Sequence, residues 1–104
     1  MNENFISERL AQLRIQKGVS ARDMSLTLGQ ADNYINSIEN KKMYPSMTAF
    51  LYICDYLNVS PKDFFDDDNT YPELIDQLLI NLKKLDEKTL IYISGIVGEI
   101  VSDK

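Results

Sequence analysis

Ser20-Ala21-Arg22-Asp23-Met24-Ser25-Leu26-Thr27-Leu28-Gly29-Gln30-Ala31-Asp32-Asn33-Tyr34-Ile35-Asn36-Ser37-Ile38-Glu39-Asn40 is the stretch that sets the fold of this chain. Its pattern predicts two short helices joined by a turn at Gly29. Ser20 stands where an N-cap belongs, with Asp23 three residues on, as in a capping box. Met24 and Leu28 fall at i and i+4 on one face, and Gly29 then supplies the backbone freedom that a tight turn requires. In the second helix, about residues 31–40, Ile35 and Ile38 form the apolar stripe. That leaves Asp32, Asn33, Asn36 and Ser37 on the outward side. Short amides, a hydroxyl and a carboxylate on one helix face match the hydrogen-bonding edges that bases expose in the major groove.

Composition narrows the alternatives. The 104 residues suffice for one domain with an appendage and a compact core. No apolar run approaches the roughly 18 residues that a membrane-spanning helix needs. Met1-Asn2-Glu3-Asn4 lacks the basic and apolar blocks of a signal peptide. Cys54 is the single cysteine, so no intramolecular disulfide is expected, in keeping with a reducing cytoplasm. With no histidine and one cysteine, neither a zinc site nor a cofactor is expected. The same poverty argues against an enzyme: there is no nucleophile–base–orienter set and no phosphate-cradling glycine loop.

The net charge of −5 by itself argues against nucleic acid, but it is unevenly spread. Residues 1–65 hold seven Lys/Arg and seven Asp/Glu, whereas residues 66–104 hold four against nine. A neutral reading domain with clustered cations still contacts phosphates, with weaker non-specific affinity than a strongly basic one. The acidic tail is expected to point away from the duplex.

Every element along the chain reads as helical. Asn4 or a neighbour opens helix 1, which carries Ile6, Leu10 and Leu13 at helical spacing and ends at Gly18 in the usual place for a left-handed cap. Pro45-Ser46 opens helix 4, with Met47, Phe50, Leu51, Cys54 and Leu57 as its apolar positions. Ser60-Pro61-Lys62-Asp63 opens helix 5, and Phe64 and Phe65 close the core. No stretch shows strand alternation and no repeat is evident. The expected fold is therefore all-α: a five-helix domain over residues 1–65, then an acidic linker and a two-helix extension over 66–104. Asp66-Asp67-Asp68-Asn69 marks the boundary.

In the extension, Thr70 and Glu73 offer a capping box to helix 6, which carries Leu74, Ile75, Leu78, Leu79 and Leu82. Asp86 caps helix 7, with Leu90, Ile91, Ile93, Ile96, Val97, Ile100 and Val101. That apolar arc is wider than one surface helix needs, and Ser94, Gly95 and Gly98 would let another backbone come close. Helix 7 could pack only on helix 6 and the preceding bundle. Because a helical pair of this length has little core of its own, self-association is the favoured expectation: a homodimer through residues 70–101.

Taken together, Arg14-x-x-Lys17-Gly18, Met24-Ser25, Gly29, Ile35-x-x-Ile38-Glu39, Pro45-Ser46 and Asn58-Val59-Ser60 resemble the phage-repressor, or XRE-type, helix-turn-helix family over about residues 5–65. The resemblance implies a five-helix domain that binds double-stranded DNA, helix 3 lying in the major groove and helix 2 bridging phosphates. It also implies that Glu39 pairs with Arg14. Four departures stand out. Ala21 replaces a glutamine that binds phosphate and braces helix 3, with Arg22 as a substitute. Ser25 replaces a small alanine. Lys41 stands where glycine is common, so Asn40 is expected to take the left-handed conformation instead. Ala31 is a poor cap where Ser or Thr is usual, so Asp32 is expected to be recruited.

The candidate base-reading residues are thus Asp32, Asn33, Asn36 and Ser37. Asp32 reads equally as an N-terminal helix acid; if it meets a base, the partner is the cytosine amino group. Arg22, Gln30, Tyr34, Lys41 and Lys42 are the candidates for backbone contact or support, and Tyr34 could instead only pack at the helix edge. Cys54 reads as core. The function implied is a dimeric, sequence-specific DNA-binding regulator, most simply a repressor. The alternative is a protein-interaction module, or antitoxin-like partner, that uses the apolar hairpin.

Overall fold

In a computed structural model of the protein, which describes residues 2–103, four helices start on side-chain caps. Ser20, Ser46 and Ser60 accept the backbone N–H of Asp23, Ala49 and Asp63 at 3.0, 3.1 and 3.0 Å, and Asp86 accepts that of Thr89 at 2.9 Å. Each bond satisfies one of the donors that a helix N-terminus leaves unpaired. The helices are α1 (Phe5–Lys17), α2 (Ala21–Thr27), α3 (Tyr34–Glu39), α4 (Met47–Leu57), α5 (Pro61–Phe64), α6 (Pro72–Leu82) and α7 (Glu87–Ser102). No strand occurs among the described residues. Gly18 closes α1 at φ 77° and Gly29 follows α2 at φ 75°, the left-handed conformations that a Cβ disfavours.

The first five helices enclose one core. Leu10 and Leu13 of α1, Met24 of α2, Ile35 and Ile38 of α3, Phe50, Ile53, Cys54 and Leu57 of α4, then Val59 and Phe64 are buried together. Phe64 meets Phe50 edge-on with ring centroids 5.0 Å apart, while Phe65 lies at the margin, stacked on Phe5 at 5.9 Å. The inward face of α4 differs from the one expected. Ile53 is buried, whereas Met47 and Leu51 are exposed. Ile53 lies three residues after Phe50 and four before Leu57, so all three share the face that Leu51 and Met47 flank.

The first compact unit runs through the acidic stretch to Glu73, rather than closing at residue 65. Arg9 accounts for this. Buried on α1, it donates Nε–H to the Phe64 carbonyl at 2.8 Å, and Nη2 to the carbonyls of Asp63, Asp66 and Asn69 at 2.8, 2.9 and 2.8 Å. Nη1 donates to Gln12 Oε1 at 2.8 Å. Burial pulls the guanidinium down from the ordinary arginine range, opposed by the carboxylates of Asp66, Asp67 and Asp63. Gln16 Nε2 donates to the Thr70 carbonyl at 2.7 Å. Glu73, expected to close a capping box with Thr70, instead accepts from Asn58 Nδ2 at 3.2 Å and lies 3.8 Å from Lys17 Nζ.

The second unit, from Leu74 onward, comprises the rest of α6 and α7. None of the residues of α7 is buried. Leu74, Ile75, Leu78 and Leu79 on α6 are likewise exposed in the single chain, as are Ile91, Tyr92, Ile96, Val97, Ile100 and Val101 on α7.

Candidate nucleic-acid interface

The outward surface of α2, the turn and α3 depends on how firmly α3 is held. This six-residue helix is far below the length at which a helix is stable alone, so its neighbours must fix it. Ile35 and Ile38 plug it into the core, and polar anchors hold its two ends. At the N-terminal end, the buried Ser25 hydroxyl donates to the Ala21 carbonyl at 2.7 Å and accepts the Ile35 N–H at 2.9 Å. A side chain on α2 thereby satisfies one of the unpaired donors of α3. At the C-terminal end, the buried Ser7 hydroxyl of α1 donates to the Ile38 carbonyl at 2.8 Å. There too Arg14 of α1 donates Nε–H and Nη2–H to Glu39 at 2.7 and 2.9 Å, and Nη1 to the Val19 carbonyl at 2.8 Å.

Helix α3 is shorter than the expected span of about 31–40. Ala31 has no side chain with which to cap, and residues 31–33 form a turn closed by the Tyr34 N–H on the Ala31 carbonyl at 3.0 Å. Asn33 is the N-cap residue, with no bond from its side chain to the helix. The expected recruitment of Asp32 as a cap does not occur: its Oδ2 lies 3.7 Å from Arg22 Nη1. The helix end also corrects an expectation. Lys41, not Asn40, takes the left-handed conformation, at φ 63° against −86° for Asn40. The Lys41 N–H donates to Ile38 and the Lys42 N–H to Ser37, at 3.0 and 2.9 Å. This is the paired closure usually assigned to glycine at that position.

With Ile35 and Ile38 inward, Asn33, Asn36 and Ser37 share the opposite side of α3. Asn33 and Asn36 are exposed and Ser37 is half-buried. Asn36 Oδ1 accepts from Asn40 Nδ2 at 3.0 Å, which orients both amides. Arg22 on the first turn of α2, Gln30 and Asp32 in the connecting turn, and Lys41 and Lys42 beyond α3 are all exposed. Tyr34 is half-buried against the core, and burial pushes its hydroxyl above the ordinary tyrosine range. Elsewhere, the carboxylates of Asp66, Asp67 and Asp68 approach within 4.8 Å of one another, but all are open to solvent, as acidic groups without an ion often are.

Sequence reasoning missed Ser7 and Arg9, and read Ser25 only as a stand-in for a small alanine. For the two serines a signal existed: each stands on the apolar side of its helix, Ser7 one turn before Leu10 and Ser25 beside Met24. A hydroxyl so placed must find a partner inside the fold.

Residues 7–69 match the family described as a helix-turn-helix domain. The chain belongs to this family of phage-repressor-like, XRE-type proteins. Membership implies DNA binding, and the family is typically non-enzymatic. No curated protein and no solved structure matches the chain. No helix among the described residues is long and apolar enough to cross a membrane.

Proposed function

We propose that the protein is a sequence-specific transcriptional regulator, a repressor, that works in the cytoplasm and binds operator DNA as a homodimer. Helix α3 enters the major groove, where Asn33, Asn36 and Ser37 meet base edges. Arg22, Gln30, Lys41 and Lys42 flank it and contact the phosphate backbone, with Tyr34 as support. The observation that carries this reading is the contrast across α3. One side is plugged into the core and fastened at both ends, while the other presents short polar side chains to solvent.

Residues 70–101 are proposed as the dimer contact, supported by the exposed apolar side chains of α6 and α7. Two copies related by a two-fold axis reach half-sites about one helical turn, roughly 34 Å, apart. Enrichment of a randomised duplex library by the full-length protein tests the reading, with recovery of an inverted repeat as the expected result. Absence of any enriched sequence would overturn it. For the dimer, sedimentation of a chain ending at Glu73 should give a monomer where the full chain gives a dimer.

The same exposed apolar residues favour a second reading, an interaction module whose hairpin binds another protein. Salt separates the two. Binding driven by phosphate contacts weakens steeply between roughly 50 and 200 mM salt, whereas an apolar interface barely responds.

A further inference from the structure

We propose that Arg22 and Asp32 act as one unit in base recognition, Arg22 being the residue that makes a carboxylate at position 32 usable beside phosphates. The inference rests on the DNA-reading proposal above. Arg22 stands on the first turn of α2 and Asp32 in the turn before α3. Their side chains nevertheless meet, Nη1 to Oδ2 at 3.7 Å, although 70% and 59% exposed. An ion pair this open contributes little to folding, so stability does not explain it. Exposure also leaves both groups free to meet a ligand. A guanidinium has five N–H donors, and a contact to Asp32 through one nitrogen leaves the others for a phosphate oxygen.

Charge decides the rest. An unpaired carboxylate approaching a duplex is repelled by the phosphates on either side of the groove. Held by Arg22, the Asp32 carboxylate belongs to a neutral pair and can approach. It is an acceptor without donors, so it suits a base edge offering an amino group, and the cytosine N4 amino group is its partner. Without Arg22 the same carboxylate becomes a repulsive charge. The contribution of Asp32 to binding therefore changes sign with the residue at position 22.

The test is selection from a library of duplexes with a randomised core, using the full-length parent, Asp32→Asn, Arg22→Gln and the double variant. Both positions are exposed, so all four proteins should fold alike. The parent should enrich cytosine at one position of each half-site by roughly 5- to 150-fold. Asp32→Asn should move that preference to adenine, the base that asparagine pairs best. Arg22→Gln should abolish the cytosine preference with Asp32 still in place, and lower the salt slope by about one per protomer. The double variant should bind more tightly than Arg22→Gln alone, because the stranded carboxylate is gone. An Arg22→Gln protein that keeps the cytosine preference while weakening on all duplexes equally would overturn the inference, as would an unchanged profile for Asp32→Asn. A parent protein that enriches no duplex removes the DNA-reading proposal and this inference together, an outcome distinct from the other two.

Discussion

Arg14 and Glu39 meet in a two-pronged ion pair, Nε to Oε2 at 2.7 Å and Nη2 to Oε1 at 2.9 Å, that fastens the last residue of α3 to α1. The side chains are 17% and 12% exposed, and the bond to Glu39 raises the Arg14 guanidinium above the ordinary arginine range, burial opposing it. Removing one partner strands the other, at a cost of about 3–5 kcal/mol when burial is complete. With this residual exposure, Glu39→Ala should destabilise by about 2–3 kcal/mol in urea denaturation. A variant that melts like the parent would show that the pair is ornamental.

Ser25→Ala should cost about 1–2 kcal/mol, because it leaves the Ile35 N–H without its buried acceptor. The loss should be local as well as global, since this bond holds the first turn of α3. Hydrogen exchange at the Ile35 amide is the direct readout. Unchanged protection there would mean that another acceptor, or water, takes over.

Lys41 occupies the left-handed region at φ 63°, which costs a residue with a Cβ about 1–2 kcal/mol that glycine avoids. Lys41→Gly should therefore raise the melting temperature while keeping the closure of α3. If Lys41 also touches a phosphate, the same change should reduce the salt slope of DNA binding by about one per protomer. A lower melting temperature would mean that the lysine side chain contributes something its geometry does not reveal.

Asn33 is the N-cap residue of α3, yet its side chain makes no cap bond, so Asn33→Ala should leave the melting temperature nearly unchanged. Against the best duplex it should lose about 1–3 kcal/mol, confined to one position in each half-site. Uniform weakening on every sequence would assign Asn33 to the backbone.

Burial, aided by the Asp55 charge, pushes the Cys54 thiol from 9.0 up to about 11. The folded state thus holds its proton more tightly than the unfolded state. The stability this contributes is complete below about 9 and is lost as the pH rises towards 11. Denaturation midpoints should fall across that window, and less so in Cys54→Ala. Alkylation of the native thiol at pH 8 should be far slower than that of the urea-unfolded chain; equal rates would mean that the thiol is accessible.

Much of this architecture was legible because it is encoded locally. A cap and the backbone N–H it accepts lie three residues apart, so Ser20, Ser46, Ser60 and Asp86 could be read directly. The Arg14–Glu39 pair, 25 residues apart, was accessible only through resemblance to a family. The partners of Ser7, Arg9 and Ser25 were not legible, because each bonds main-chain groups on another segment and backbone partners leave no trace in residue identity. The inward face of α4 differs from the expectation because Met47, Leu51 and Ile53 are all apolar: hydropathy does not separate them, whereas spacing from Phe50 and Leu57 does.

The clamp made by Arg9 has a consequence for how this chain tolerates change. It grips carbonyl oxygens of Asp63, Phe64, Asp66 and Asn69, groups that every amino acid supplies. The hydrogen bonds of the joint therefore persist when the acidic run varies in composition and its length is kept, while the carboxylates of Asp66, Asp67 and Asp63 add only charge complementarity to the buried guanidinium. Insert or delete a single residue between Phe65 and Asn69, and the carbonyls fall out of register with one fixed guanidinium. Along this stretch the protein constrains spacing more tightly than spelling.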